Sequence, residues 1–431
     1  MNSNTAFNAG LCDFIARSPT PFHAVVQMQE KLQAAGFIQL QEQEKWHLDA
    51  GGKYFVIRNG SSIIALVVGD TDVVESGMHI VGAHTDSPCL KVKPNADMHR
   101  HGYHQLGLEV YGGVLLNPWF DRDLSIAGRV SCQSEDGSLH HCLLDFERAV
   151  ALIPSLAIHL DREANDKRSI NKQTDLPAIL SLTGNADNVN SFRELLCQTI
   201  REQNLIPNCK QVLDYELSLY DTQVPAVIGL NNEFIASARL DNLLSCFAGL
   251  QALLDADGSQ TSVLVCNDHE EVGSSSAAGA NGPMLRDSLV RLCGSEENLV
   301  RCMQNSMLVS ADNAHGVHPN FSDKHDNNHG PILNQGVVIK INANQRYATN
   351  SETAARFRLY AESVGAPVQS FVVRSDMGCG STIGPITASE LGIATVDVGV
   401  PTFAMHSIRE WAGSDDAEQL ANILGAFYRR S

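Results

Sequence analysis

Four short apolar runs, far apart in the chain, each lead into a side chain that can hold a cation. His79–Ala83 leads into His84-Thr85-Asp86, and Phe234–Ala238 into Asp241. Thr261–Cys266 leads into Asp268-His269-Glu270-Glu271, and Ser306–Ser310 into Asp312. A fifth run, Ala394–Val400, is followed by His406. Apolar runs this short read as buried strands. Strands that alternate with helical text give an α/β fold with helices packed on a sheet. In open sheets of that kind, ligands gather outside the carboxyl ends of the strands.

Each residue read alone has a bland alternative. Glu270-Glu271 reads equally as a solvated acidic turn. Asp241 precedes Leu243, Leu244, Phe247, Leu250 and Leu253 at helical spacing, so it reads equally as a helix cap. His84-x-Asp86 is a short and common pattern. Separate explanations account poorly for all five positions together. Two histidines and three carboxylates are what a two-ion centre needs: a histidine and a carboxylate for each ion, and one carboxylate shared. Such mixed N and O ligands suit zinc, and manganese or cobalt as well. In this reading His84, Asp241, Glu271, Asp312 and His406 are the ligands, with Asp241 as the bridge. Glu270 is left as a general base, and Asp86 orients the His84 side.

The remaining text sets the organisation. A chain of 431 residues favours two domains. Thr20-Pro21 opens a helix that carries Phe22, His23, Val25, Val26 and Leu32 and stops at Gly36. From about 93 to 234 the texture turns to short alternating segments, among them Gly113–Leu116 and Ala151–Leu160. This predicts an inserted β-rich domain at 93–234 within a catalytic domain of 1–92 and 235–431. His159 falls in the apolar part of that insertion, as a core histidine or as one delivered to a site. His99-Arg100-His101-Gly102-Tyr103-His104 reads as a polar loop without a metal site. Lys340 lies in the strand Val337–Ile341, facing solvent or a pocket. Arg374–Ser381 is a glycine-rich turn without the lysine spacing of a phosphate loop.

A net charge of −18 disfavours nucleic acid and anionic membranes as partners. No apolar run approaches the roughly 18 residues a spanning helix needs. The eleven cysteines are scattered without a C-x-x-C pair, which fits reduced thiols in the cytoplasm.

The chain resembles the aspartyl aminopeptidases and their relatives, the eighteenth family of metallopeptidases, over nearly its whole length. The matching stretches include Ser18-Pro19-Thr20-Pro21-Phe22-His23, His84-Thr85-Asp86-Ser87-Pro88 and Ile153-Pro154-Ser155-Leu156-Ala157-Ile158-His159-Leu160. Arg239-Leu240-Asp241-Asn242, Glu270-Glu271-Val272-Gly273-Ser274, Asn344-Gln345-Arg346-Tyr347-Ala348 and Met405-His406-Ser407-Ile408-Arg409-Glu410 follow in order. The resemblance implies a zinc-peptidase-like mixed sheet flanked by helices, with the insertion serving dimerisation. It implies dimers that build a tetrahedral dodecamer, two divalent metals per subunit, and peptide substrates. It places His159, His315, Lys340, Tyr347 and Met377 at the substrate pocket. His159 is there lent by the partner subunit, as a substrate contact or a further ligand. Lys340 implies a preference for N-terminal Asp or Glu. One departure is His269, where some members carry Asn.

Two other readings stay open on the sequence. Another co-catalytic zinc hydrolase, a deacylase or carboxypeptidase, predicts activity on N-acylated substrates. A self-assembling shell protein predicts no turnover, against which Glu270 argues.

Overall fold

The computed structural model describes residues 3–183 and 190–429. Contacts divide it into two compact units. One comprises 1–87, 225–405 and 410–431, and the other 88–224 with 406–409. The expected boundaries were 93 and 234.

The first unit is built on a nine-stranded mixed sheet. Its order is Ile38–Gln39, Lys53–Arg58, Ser62–Val67, Thr261–Asn267, Met78–His84, Met307–Ala311, Ala394–Gly399, Val337–Lys340 and Val368–Phe371. The strand Met78–His84 runs parallel to both of its neighbours. Strand alternation sends successive side chains to opposite faces, and both faces are covered. In Ser62–Val67, residues Ile63, Ala65 and Val67 join one apolar core. Ile64 and Leu66 join another. The helices Pro21–Ala34, Leu240–Leu254 and Asp416–Tyr428 contribute to the first core, and Met284–Cys293 and Glu296–Gln304 to the second. A second, five-stranded sheet joins Ala226–Ile228, Phe234–Ser237, Glu410–Gly413, Pro401–Phe403 and Ala314–His315.

The second unit is a six-stranded antiparallel sheet with the helix Phe192–Glu202 packed on it. Two expected strands are absent there. Gly113–Leu116 is an irregular approach to a short 3-10 turn. Ala151–Leu160 contributes only single bridges at Ala151 and Leu152. Ile153 is buried, but from Leu156 on the apolar residues are exposed, Leu156 at 60% and Leu160 at 75%. Among the described residues no strand partner covers them, so their apolar character does not mark a buried strand.

Asp416 ties the end of the first unit together. It is fully buried at the start of the last helix. Its carboxylate accepts from the Asn334 N–H at 2.6 Å and the Gly336 N–H at 2.9 Å. Burial pushes its pKa up to about 6 despite those two donors. The carboxyl therefore holds its proton more tightly folded than unfolded. Protonation favours the fold, and this contribution is full below about pH 4 and lost as pH rises through about 6. At about 1.4 kcal/mol per pKa unit the window spans roughly 3 kcal/mol. Asp416→Asn is expected to flatten the fall of Tm between pH 4 and 6 relative to wild type. Parallel Tm profiles for the two proteins would refute it.

Candidate metal centre

Three parallel strands end side by side. Asn267 is level with His84 in one pairing, and Ser310 is level with Gly82 in the other. Asp312, two residues beyond Ser310, thus comes level with His84. His84 is 1% exposed. Its Nδ1 lies 3.1 Å from the Asp86 carbonyl oxygen, which fixes the ring. Its Nε2 lies 3.5 Å from Asp241 Oδ1, 3.5 Å from Asp312 Oδ1 and 3.9 Å from Glu270 Oε2.

Asp86 does more than hold the His84 side. Its two carboxylate oxygens accept from the backbone N–H groups of Glu270 and Glu271, each at 3.1 Å. It thereby ties the acidic couplet to the end of the His84 strand. His269 enters the couplet in the left-handed region, at φ 67°, and its Nδ1 lies 2.8 Å from Ser276 Oγ.

Asp241 does not end a strand of the main sheet. The strand before it, Phe234–Ser237, belongs to the five-stranded sheet, and Arg239 turns the chain at φ 58°. Asp241 then sits at the start of the helix Leu240–Leu254 in a non-helical conformation. Three neighbours fix that conformation. Ser87 Oγ donates to the Asp241 carbonyl at 2.6 Å. The Asp241 N–H donates to Glu410 Oε2 at 3.0 Å, and Asn242 Nδ2 to the Ala311 carbonyl at 2.8 Å. Glu410, only 2% exposed, had no role in the sequence reading. Its signal was a carboxylate in a short strand just after His406.

Lys340 is buried rather than solvent-facing. Its Nζ donates to Asp312 Oδ2 at 3.2 Å and lies 5.4 Å from the Tyr347 ring centre. The same strand neighbourhood leaves no room behind Asp312: a methyl group on Gly399 would meet the Asp312 carbonyl oxygen at 1.8 Å. Asp397, a second unanticipated carboxylate, is fully buried. It accepts from Thr382 Oγ1 and from the Ala348 N–H, both at 2.6 Å, and so anchors the Tyr347 segment. A charged residue inside the apolar run Ala394–Gly399 was the sequence signal for it. His315 packs edge-on to Phe371. Its surroundings disfavour the charged ring, and the Lys340 ammonium pushes its pKa further down. Met377 is 44% exposed in the turn after Arg374.

His159 and His406 fall in the second unit. His159 is exposed in a turn, so it is not a core histidine. His406 stands at φ 68°, with Nδ1 3.1 Å from the Gly113 carbonyl oxygen.

The electrostatics of the cluster are those of crowded anions. Burial opposes a charge on His84, but the hydrogen bonds to Asp241, Asp312 and Asp86 outweigh it and raise its pKa. Burial pushes Glu270 up to about 7; the His84 charge opposes this, and the Asp312, Asp241 and Asp86 charges add to it. Ligand atoms of His84, Asp241 and Asp312 lie within 4.8 Å of one another, and so do those of His84, Glu270 and Glu271. Buried carboxylates at this density require cations to offset them. One imidazole among carboxylates fits zinc, manganese or cobalt.

A buried imidazole ringed by carboxylates at the carboxyl ends of a mixed sheet defines a metal-dependent hydrolase. The family profile described as Aminopeptidase I zinc metalloprotease (M18) matches residues 14–428. A "Probable M18 family aminopeptidase 2" of Pseudomonas fluorescens (strain Pf0-1) is 60% identical over 421 residues, 98% of this chain and 97% of that protein. A chain in the cryo-EM structure of the Ape4 and Nbr1 complex superposes with a TM-score of 0.95 at 39% identity, over 99% of this chain and 86% of that one. The S. cerevisiae mApe1 dodecamer gives 0.86 at 27% identity, over 99% and 97%. The chain belongs to the M18 family of zinc metalloaminopeptidases, with that family's zinc-peptidase-like α/β fold. It is an enzyme that removes N-terminal residues from peptides.

Proposed function

We propose that His84, Asp241, Glu271, Asp312 and His406 hold two divalent ions per subunit, with Asp241 shared between them. The convergence of His84 Nε2 with Asp241 and Asp312 is the observation that carries this reading. His406 enters it through the resemblance. Zinc comes first among the ions, with manganese or cobalt compatible. Bound there, such ions lower the pKa of water and polarise a carbonyl.

The chain's own groups supply the proton transfers. Glu270 takes a proton from the attacking water and returns it to the leaving amine. Its carboxylate lies 3.9 Å from His84 Nε2, so it faces the cluster. Asp86 holds the backbone of Glu270 and Glu271 in register with His84. Lys340, His315, Tyr347 and Met377 line the pocket for the first residue of the substrate. The buried Lys340 ammonium supports a preference for Asp or Glu there, and its bond to Asp312 links that pocket to the centre.

The insertion serves dimerisation, and dimers assemble into a tetrahedral dodecamer. The dodecameric yeast neighbour and the exposed apolar Leu156, Ile158 and Leu160 support this. His159, in that same stretch, then meets the substrate or an ion of the partner subunit. The scattered cysteines support a cytoplasmic location; among the described residues no helix is long and apolar enough to cross a membrane.

Metal analysis with a panel of aminoacyl chromogenic substrates tests the reading. At least two ions per chain are expected, with activity abolished by a chelator and restored by zinc. Hydrolysis of Asp and Glu substrates is expected to exceed that of Leu and Lys. The reverse order would remove the acidic pocket, and one ion per chain would remove the paired centre.

A further inference from the structure

The second unit carries a cluster that the enzymatic reading does not use. Its antiparallel hairpin joins Cys89–Arg100 to Tyr103–Tyr111 through His101 and Gly102, at φ 52° and 83°. A two-residue turn with both φ positive fixes the strand register. That register sets His99 directly opposite His104. Asp97, two residues before His99, shares its face of the strand. The segment read from sequence as a polar loop is thus the end of a hairpin, with three potential ligands on one face.

We propose that Asp97, His99 and His104 bind a transition-metal ion of the zinc, nickel or copper class. One ligand atom from each lies within 4.8 Å of the others. Two of the three are already fixed. His104 is 4% exposed, and its Nε2 lies 2.7 Å from Asp97 Oδ1. That same carboxylate oxygen accepts from the Phe192 N–H at 2.8 Å, at the start of the helix Phe192–Glu202. The His99 ring, exposed, stacks on His104 at 4.7 Å between centres. A hydrogen-bonded structural pair accounts for Asp97 and His104. It leaves the third side chain, brought over them by the turn, without a reason.

Two imidazoles and a carboxylate match ions of this class, which favour nitrogen ligands, over magnesium or calcium, which favour oxygen. On binding, the ion replaces the hydrogen bond between His104 Nε2 and Asp97, with the neutral His104 ring carrying its proton on Nδ1. Water completes the coordination. Because Asp97 also receives the Phe192 N–H, the ion fastens the hairpin end to the helix beside it.

Metal counting on the full-length enzyme tests the site independently of the reading above. Wild type, His99→Ala and Asp97→Asn are stripped with a chelator, equilibrated with excess Zn2+, freed of loose ion and analysed. The expected result is one ion per chain fewer in each variant than in wild type, whatever the wild-type total. His99 is exposed, so its loss leaves the fold intact, which circular dichroism verifies. Equal counts in wild type and His99→Ala would overturn the proposal. So would a loss of more than one ion, because the variant would then be disturbing another centre.

Discussion

Glu270→Gln is expected to keep its metal and its Tm while kcat falls by about 10²–10⁴-fold, the range for loss of a general acid–base group. The amide matches the carboxylate in shape but cannot accept the proton of the attacking water. Ion content decides between two roles, because Glu270 also lies close enough to His84 and Glu271 to act as a ligand. A variant with full metal and little turnover supports the base. A variant that loses an ion makes Glu270 a ligand instead, and near-normal turnover removes it from the chemistry altogether.

Asp86→Ala is expected to weaken metal binding by about 10–100-fold, as losses of residues that hold metal ligands do. Its carboxylate is the acceptor for two successive N–H groups, those of Glu270 and Glu271. Removing it leaves both without their acceptor and frees the couplet from the His84 strand. Stability should fall too, by about 1–3 kcal/mol for each donor left unsatisfied. Titration of zinc into the stripped variant, followed by activity, measures the first effect, and thermal unfolding the second. Wild-type zinc affinity in Asp86→Ala would show that the couplet holds its place without this clamp.

Much of the centre was legible because strands buried on both faces show as unbroken apolar runs. Ionisable residues at or just past their ends, His84, Glu271 and Asp312 among them, therefore stand out. Asp241 was located for partly the wrong reason. Its preceding strand lies in a different sheet, and its position depends on Ser87 and Glu410, both distant in sequence. Lys340 was ambiguous because a lysine is buried only where a carboxylate meets it, and Asp312 is 28 residues away. Glu410 and Asp397 went unassigned because their partners are backbone N–H groups and a hydroxyl, which leave no spacing pattern. The same limit hid the hairpin at 99–104, whose polar strand ends lack apolar alternation. The opposite error made a strand of Ala151–Leu160, where apolar side chains face outward.

The side-by-side ending of Met78–His84, Thr261–Asn267 and Met307–Ala311 has a consequence for tolerance to change. Adjacent strands stand about 4.8 Å apart, a distance set by backbone hydrogen bonds and not by side-chain torsions. The lateral separation of the proposed ligands is therefore dictated by the pleated framework. Lengthening one arm by a methylene, as in Asp312→Glu, cannot be absorbed by neighbouring arms whose roots are pinned. Evolution of this catalyst toward other ions or substrates then has to proceed through the surrounding walls, while the donors themselves stay the size they are.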